Sequence, residues 1–546
     1  MFKHEFPLLT FLQKGDVEEL KKTVALSGTV GLISTAIIAI LNESAIALSK
    51  GEPILLEFII FVPLIIFFMI ITNKATVRAV NYSQLLIHQF RIRVISEVFN
   101  SNLPTIDSVG KVNILQILGR DAQTVSLSLQ VIVQFINSST SIIFISLYIA
   151  YISFNSFLIL FFSCLAIIYF SLKHITKMDA EVYKSWKKEA HTFELLNDFV
   201  YGFKEIKMNS SRGFDISQEL VNQSRRSSSS MAKTYIFLLK FFNYYTTFAY
   251  LILAVIVFVI PVMSTGLNES TTAIVTASLV MIGSLSTVIN NVPTLLNANA
   301  AAKSLLSLED SLNVSTKDHQ NNPYEAPLGS FQNLLLKDVT YEYKKIDATH
   351  NYFFGQFTYE FLRGKTYFIK GSNGSGKTTL MKLIAGLHEP TSGSVFLNGN
   401  LVIQPASNGY RDLFSTIFTD FYLFKKLYGL YESTQDEIDK LIKTLEMQDH
   451  FSLKDGIFSD LNLSTGQKKR VALIVALLEK RPILLLDEWA ADQDPEFRHF
   501  FYTELLPEFI KQGKTIIAIS HDDKYFYLAD VLIFLDKGKI GKQSNV

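Results

Sequence analysis

Six stretches of the chain are apolar almost without interruption, and between them the pattern changes to long mixed segments of helical character. They run approximately from Val24 to Leu48, Ile54 to Ile71, Leu129 to Ile152, Phe154 to Leu172, Phe241 to Met263 and Thr271 to Ile289. About 20 mostly apolar residues cross a ~30 Å hydrocarbon core, so each stretch is predicted to be a membrane-spanning helix. The first starts after 23 residues, eight of them charged, and is too long for the apolar region of a secretion signal, so no cleaved signal peptide is expected.

The segments between the second and third stretches and between the fourth and fifth are rich in Lys and Arg, from Lys74 to Arg120 and from Lys173 to Lys240. The other connections are short and hold one basic residue, Lys50. By the positive-inside bias the long connections and both termini face the cytoplasm. Patches such as SQLLIHQFRIRVISEVF and EVYKSWKKEAHTFELLNDFVYGF have few helix breakers, so the membrane helices are predicted to continue well past the bilayer. SNLPTIDSVG and KMNSSRGFD hold the turn residues that bend each extension back. The SSSS run at Ser227–Ser230 lies in helical surroundings and is predicted to be a solvated helix face.

After residue 310 the pattern changes. Residues 311–330, SLNVSTKDHQNNPYEAPLGS, read as a linker between a membrane domain at 1–310 and a soluble domain at 331–546. Charge follows the same division, at about 15% of the first 310 residues and about 24% of the rest, the latter an ordinary value for soluble domains. The 51 basic and 50 acidic residues nearly cancel, so no general attraction to nucleic acid is expected. One cysteine, Cys164, excludes an internal disulfide or a thiolate metal cluster within one chain and reads as a small apolar membrane residue.

The soluble part carries phosphate chemistry. YFIKGSNGSGKTTLMKLIAGL reads as strand, glycine-rich turn and helix, and Gly371–Thr378 fits G-x-x-x-x-G-K-[ST] in that context. Gly371, Ser372, Asn373, Gly374, Ser375 and Gly376 would curl backbone N–H groups around phosphates at the start of a helix. Lys377 would reach the outer phosphates, with Thr379 beside the loop, and Thr378 offers a hydroxyl to Mg²⁺. A second strand, PILLLDE, ends in Asp487, placed for the Mg²⁺ shell, and Glu488, placed to accept a proton from an attacking water. A third, KTIIAISH, delivers His521 to the C-terminal strand edge where ligands of open α/β sheets gather.

With LSTGQ at Leu463–Gln467 followed by KKRVALIVALL, the chain resembles the ATP-binding cassette family over essentially its whole length. The resemblance implies an α-helical six-span membrane domain of exporter type fused to an α/β P-loop nucleotide-binding domain. It also implies that Ser464, Thr465, Gly466 and Gln467 face an ATP bound to a second cassette, so that the chain works as a homodimer with two ATP sites. Tyr343 is implied as the residue stacking on adenine, Asp494 as part of the loop after the catalytic acid, and His521 as the switch beside the γ-phosphate. Short coupling helices are implied near Pro104–Val112 and Glu205–Ser210.

The departures from the family pattern are Thr419 where a glutamine usually meets Mg²⁺, Trp489 after Glu488, and ADQD in place of SALD. Polar residues within the spans, Asn42, Glu43, Gln134, Asn137, Asn243, Asn290 and Asn291, suggest a hydrated cavity, although amides also join helices to one another. YRDLFSTIFTDFYLF, LNLSTGQKKR and DEWAADQDPEFR resemble the bacterial branch that exports cyclic peptides and peptide siderophores, including lasso peptides, syringomycin-type lipopeptides and pyoverdine precursors. The expected activity is therefore ATP-driven export of a modified peptide across the bacterial inner membrane, with lipids around the spans. Nothing in the chain specifies an outer-membrane channel. A lipid or lipid-linked sugar flippase, a multidrug exporter and a non-transporting membrane ATPase regulator remain the alternatives.

Overall fold

The computed structural model describes residues 6–255, 258, 268–316, 330–343, 353–402, 407–430, 432–536 and 538–545. The chain forms two compact units: Met1–Phe99 with Asp107–Val314, and Asn100–Ile106 with Ser315–Val546.

The first unit is helical: α1 (Pro7–Gln13), α2 (Val17–Lys50), α3 (Leu55–Asn100), α4 (Leu103–Val109), α5 (Lys111–Gln116), α6 (Ala122–Ile152), α7 (Phe154–Tyr201), α8 (Phe203–Met208), α9 (Ser210–Ala254) and α10 (Asn268–Thr316). The side chain of Asp16 caps α2 by accepting from the N–H groups of Glu18 and Glu19, and Gly51 ends it at φ +72°. Ser153 alone separates α6 from α7, with extended backbone and its hydroxyl accepting from the N–H of Ser156 at 3.4 Å. Among the described residues α2, α3, the segment Lys111–Ile152 and Thr272–Asn313 are long and apolar enough to cross a membrane. The fifth predicted span falls partly outside the described residues, and the fourth lies in α7, with the side chain of Cys164 among those outside the description.

Two expectations about polar segments are corrected. Ser311–Thr316, assigned to the linker, is the last part of α10: Leu312 is fully buried and the Ser311 hydroxyl donates to Ser307 O at 2.7 Å. Polar composition misleads here because one buried leucine is enough to dock a helix end. The serine run is only half solvated. Ser228 and Ser229 are exposed, but Ser227 is buried and donates to Glu189 at 2.6 Å, and Ser230 meets Ser185 at 3.2 Å, which joins α9 to α7.

Helices α2 and α6 meet at small residues. A Cβ on Gly31 would lie 2.6 Å from Asn137 O, and the Ser141 hydroxyl donates to Gly31 O at 3.3 Å. Further along, Ile145, Ile149, Leu160, Ile252, Ile274, Ala277 and Met281 form an apolar cluster.

The second unit holds two main sheets. Strands β1 (Asn333–Glu342), β2 (Phe353–Leu362), β4 (Ser392–Leu397) and β5 (Asn400–Leu401) make an antiparallel sheet in the order β2-β1-β4-β5. With β3 (Thr366–Lys370), β6 (Phe414–Ile417), β9 (Ile483–Asp487), β10 (Thr515–Ile519), β11 (Val531–Asp536) and β12 (Lys539–Asn545), the larger sheet runs β12-β11-β3-β10-β9-β6. The short strands β7 (Leu453–Lys454) and β8 (Ile457–Phe458) pair separately. All pairs of the larger sheet are parallel except β11–β12.

The period-2 alternation of the buried strands supplies two cores. Tyr367, Ile369, Ile483, Leu485, Ile517 and Ile519 pack with Phe354, Phe357 and Phe361. Phe368, Leu484, Leu486, Ile516 and Ala518 pack with helical residues such as Val471, Ile474, Phe501 and Leu505. This architecture, helices in one unit and a mixed α/β sheet in the other, is the fold class expected.

Candidate active site

The parallel register brings three strand ends to one edge of the sheet: Ile369 and Asp487 are both opposite Ile519. The next residues are therefore Lys370 at the end of β3 and Gly371 after it, Glu488 after β9, and Ser520 and His521 after β10. Ligands of open α/β sheets bind at such an edge.

Gly371–Gly376 forms a compact turn into α11 (Lys377–Ile384). Gly371 has no room for a side chain, since a Cβ would overlap Leu535 O and crowd Ser375 Oγ. Gly374 and Gly376 take φ +80° and +96°, and a Cβ on Gly374 would meet nothing within 4 Å, so the loop tip is open. The turn is closed by Ser375 N–H to Ser372 O at 3.1 Å and backed by Gly538 N–H to Ser375 O at 2.8 Å. Lys377 is buried and its ammonium donates to Gly371 O (2.9 Å) and Ser372 O (3.2 Å), folded over the loop it belongs to. The Ser375 hydroxyl is buried with no hydrogen-bond partner among the described residues. An open cradle of backbone N–H groups, an ammonium and an orphan hydroxyl suits a polyphosphate.

The Thr378 hydroxyl donates to Asp487 Oδ2 at 3.2 Å. Asp487 is 1% exposed, and burial pushes its carboxyl above the ordinary value, with the Thr378 hydrogen bond pulling it back. Glu488 sits in the left-handed region at φ +49°, and its Oε1 lies 3.1 Å from His521 Nε2. Strand end, metal-type oxygen pair and acid–imidazole pair are thus contiguous.

The signature segment opens α12 (Thr465–Leu478) with a capping box: Ser464 Oγ accepts from Gln467 N–H at 3.3 Å, and Gln467 Oε1 accepts from Ser464 N–H at 2.9 Å. Gly466 lies against the residues after the acid, where a Cβ would be 2.6 Å from Asp492 O. Thr465 is exposed at the start of the helix.

Several sequence-predicted residues are engaged differently from expectation. Asp494 caps α13 (Pro495–Phe500) through Phe497 N–H at 2.8 Å and receives the Arg470 guanidinium at 2.6 Å, so its carboxylate is committed within the chain. The Tyr343 hydroxyl lies 3.2 Å from Thr379 Oγ1 and 3.3 Å from His388 Nε2, which ties the aromatic residue to the phosphate-loop helix. Thr419 is exposed in the turn after β6, two residues beyond Ile417, which pairs with Leu486. Asn42 is buried, its amide donating to Ala273 O at 3.3 Å and its oxygen accepting from Thr276, so it joins α2 to α10 and does not line a cavity. Asn291 donates to Gln134 at 3.4 Å; Glu43, Asn243 and Asn290 are exposed, and Asn137 is half-buried at the Gly31 contact.

Three residues of the site were missed in the sequence. His388, 2% exposed, stacks on Tyr341 with ring centroids 4.5 Å apart beneath Tyr343. Lys469 and Asp492 pair at 2.7 Å below Glu488. Lys469 gives no periodic sign of burial beyond lying among the apolar residues of α12, and Asp492 is a plain loop acid.

Residues 354–491 match the family model for the ABC transporter. Over 498 residues, 88% of this chain and 87% of the relative, the sequence is 32% identical to the ATP-binding protein SyrD of Pseudomonas syringae pv. syringae. Over 260 residues, 44% of this chain and 42% of the relative, it is 28% identical to the beta-(1-->2)glucan export ATP-binding/permease protein NdvA of Bartonella bacilliformis. The fold is similar to that of a bacterial Atm1-family ABC exporter with ATP bound, at TM-score 0.76 and 15% identity, covering 98% of this chain and 95% of the other. The glycine-rich loop, the strand-end acids and the signature helix accordingly belong to an ATP hydrolase coupled to transport, and the chain is a member of the ABC transporter family.

Proposed function

We propose that the chain exports a compact modified peptide, of the cyclic peptide or peptide siderophore class, across a bacterial cytoplasmic membrane as a homodimer with two ATP sites. The observation that carries the substrate class is the likeness to SyrD along 88% of the chain, together with the strings LNLSTGQKKR and DEWAADQDPEFR. A membrane domain that ends with α10 at Thr316 and a nucleotide-binding domain at 331–546, with both termini cytoplasmic, is the arrangement this function needs.

In this reading the cradle and Lys377 bind the ATP phosphates, and Thr378 and Asp487 hold Mg²⁺. The fit rests on the oxygen pair at 3.2 Å and on the buried Asp487. Two protein oxygens suit an ion that keeps several waters and takes the rest of its shell from phosphates. When bound, the ion neutralises charge on the outer phosphates. Glu488 accepts the proton of the attacking water, and His521, at 3.1 Å, holds the carboxylate in place. Ser464–Gln467 of one protomer close over the ATP of its partner, and release after hydrolysis returns the membrane helices to their first arrangement. Of the spans' polar residues, Glu43, Asn243 and Asn290 keep exposed side chains with which to meet the cargo.

Glu488→Gln retains the shape of the side chain and an acceptor for His521 but removes the base. Turnover of the purified protein is expected to fall by about 10²–10⁴-fold with ATP affinity retained. More than a tenth of the wild-type rate would refute the base assignment. For the cargo, ATPase stimulation and uptake into inverted proteoliposomes across cyclic peptides, siderophores, lipids and hydrophobic drugs decides the class; stimulation by lipids or drugs alone rejects the peptide reading.

A further inference from the structure

Glu488 is held in a conformation that a residue with a side chain rarely adopts, φ +49°, and something must impose it. Its N–H donates to Ile519 O at 3.2 Å, which fixes the side of the peptide shared with Asp487. Its carbonyl receives the Lys469 ammonium at 2.6 Å. The same ammonium pairs with Asp492 at 2.7 Å, and the Lys469 side chain is 4% exposed. Burying an ammonium is costly unless it is paired and hydrogen-bonded, and here both partners lie in the stretch that follows the catalytic strand. The stretch is strapped to the start of α12 at further points: Trp489 Nε1 donates to Lys469 O at 2.8 Å, Gln493 Nε2 to Gly466 O at 3.1 Å, and Arg470 Nε to Gln493 Oε1 at 2.9 Å.

We infer that Lys469 is a positioning residue for Glu488: by gripping its carbonyl from α12 and anchoring on Asp492, it fixes the backbone dihedrals that aim the carboxylate at His521. The inference rests on Glu488 being the base. Lys469 thereby meets both departures that follow the acid, Asp492 through its ammonium at 2.7 Å and the Trp489 indole through its backbone carbonyl at 2.8 Å. It also ties the base of one ATP site to the helix that begins with the signature segment, so a displacement of that helix moves the base.

The test uses the full-length protein in detergent and proteoliposomes. Lys469→Met removes the grip and leaves Asp492, whose side chain is 47% exposed, free to be solvated. The kcat is expected to fall about 10–100-fold, the loss typical of a small misplacement of a catalytic group, with affinity for a fluorescent ATP analogue within about twofold. Amide hydrogen exchange across residues 489–493 is expected to quicken without nucleotide, a readout independent of turnover. Asp492→Ala, which does not disturb the core, should shift kcat and exchange in the same direction, and Asp492→Glu should restore at least half of kcat. In a Glu488→Gln background, Lys469→Met should not lower the residual turnover further. The inference is overturned if kcat stays within about twofold in both Lys469→Met and Asp492→Ala, or if Lys469→Met costs the same factor with Glu488 already replaced. Full turnover in Glu488→Gln alone would instead remove the base assignment, which separates the two failures.

Discussion

Trp489, the residue after the catalytic acid, has a measurable task in the structure. It is 1% exposed, stacks obliquely on Phe501 at a centroid distance of 4.4 Å, touches Phe497, and donates from its indole to Lys469 O. Truncating a fully buried tryptophan costs about 3–5 kcal/mol, because lost transfer energy and a residual cavity add. For a domain of this size each kcal/mol lowers the unfolding midpoint by about 2–4 °C, so Trp489→Ala is expected to lower it by about 6–20 °C. Trp489→Phe keeps most of the apolar surface and loses chiefly one hydrogen bond, which predicts a cost of about 1–2 kcal/mol. The chain has two tryptophans, Trp186 in the helical unit and Trp489 in the nucleotide-binding unit, so replacing Trp489 also removes the second unit's own tryptophan fluorescence. Wild type, Trp489→Ala and Trp489→Phe are therefore compared by scanning calorimetry, which needs no fluorophore. A midpoint for Trp489→Ala within about 2 °C of wild type would refute the reasoning, since no relaxed packing recovers that much buried surface.

Asp487→Asn should raise the nucleotide-free unfolding midpoint at pH 7–8 while removing the part of ATP's stabilisation that depends on Mg²⁺. Burial raises this carboxyl in the folded state, so its favourable contribution is complete below the unfolded value near 3.9 and is lost as pH rises through the folded one; the gain should vanish in acid, and a lower midpoint at neutral pH counts against it. Gly31→Val places a side chain against Asn137 and Ser141 backbone atoms, so α2 and α6 must part; thermal scans in detergent should show a loss of about 1–3 kcal/mol, and unchanged stability contradicts the close approach. For Tyr343, the ring and the hydroxyl make separable contributions: Tyr343→Ala should weaken ATP binding by about tenfold or more if the ring stacks on the base, with Tyr343→Phe close to wild type. Equal losses in both variants would assign the role to the hydroxyl bonds to Thr379 and His388.

What could be read in the sequence is what depends on neighbours in the chain. The phosphate loop is legible because strand, glycines, lysine and helix are consecutive, and the acids because β9 is a continuous aliphatic run that stops at Asp487. The fold of the second unit follows from the same alternation. Residues whose meaning depends on a distant partner were misread or missed. Asn42 looks the same in sequence whether it faces water or Ala273, 231 residues away. Ser227 looks solvated until Glu189 is placed beside it. Lys469 stands in a run of basic residues in which Lys468 is its indistinguishable neighbour, yet only Lys469 is buried, because helix periodicity turns one of two adjacent residues toward β9.

The scarcity of charge in the first 310 residues makes one cluster there informative. Glu309, near the end of α10, is 5% exposed; Lys14 reaches it at 2.7 Å from just after α1 and Arg93 at 3.4 Å from α3. Around it, Leu8 N–H donates to Asn299 at 3.0 Å, the Tyr82 hydroxyl donates to Leu12 O at 2.9 Å, and Phe11 meets Phe90 edge-on. A buried ion pair is weak evidence for net stability, because apolar replacements of the whole set often do as well, whereas breaking it leaves an unpaired charge. What directional bonds do provide is register: three segments far apart in sequence can pack in one way only. Register matters at this place because α10 continues in sequence toward β1, so any shift that nucleotide imposes along that covalent connection first meets a helix fixed to α1 and α3. A sliding apolar contact would dissipate such a shift, while a pinned one obliges α1, α3 and α10 to move together. The N-terminal helix α1, which in sequence is only a lead before the first span, is therefore pinned into the helical unit through Glu309 and Asn299.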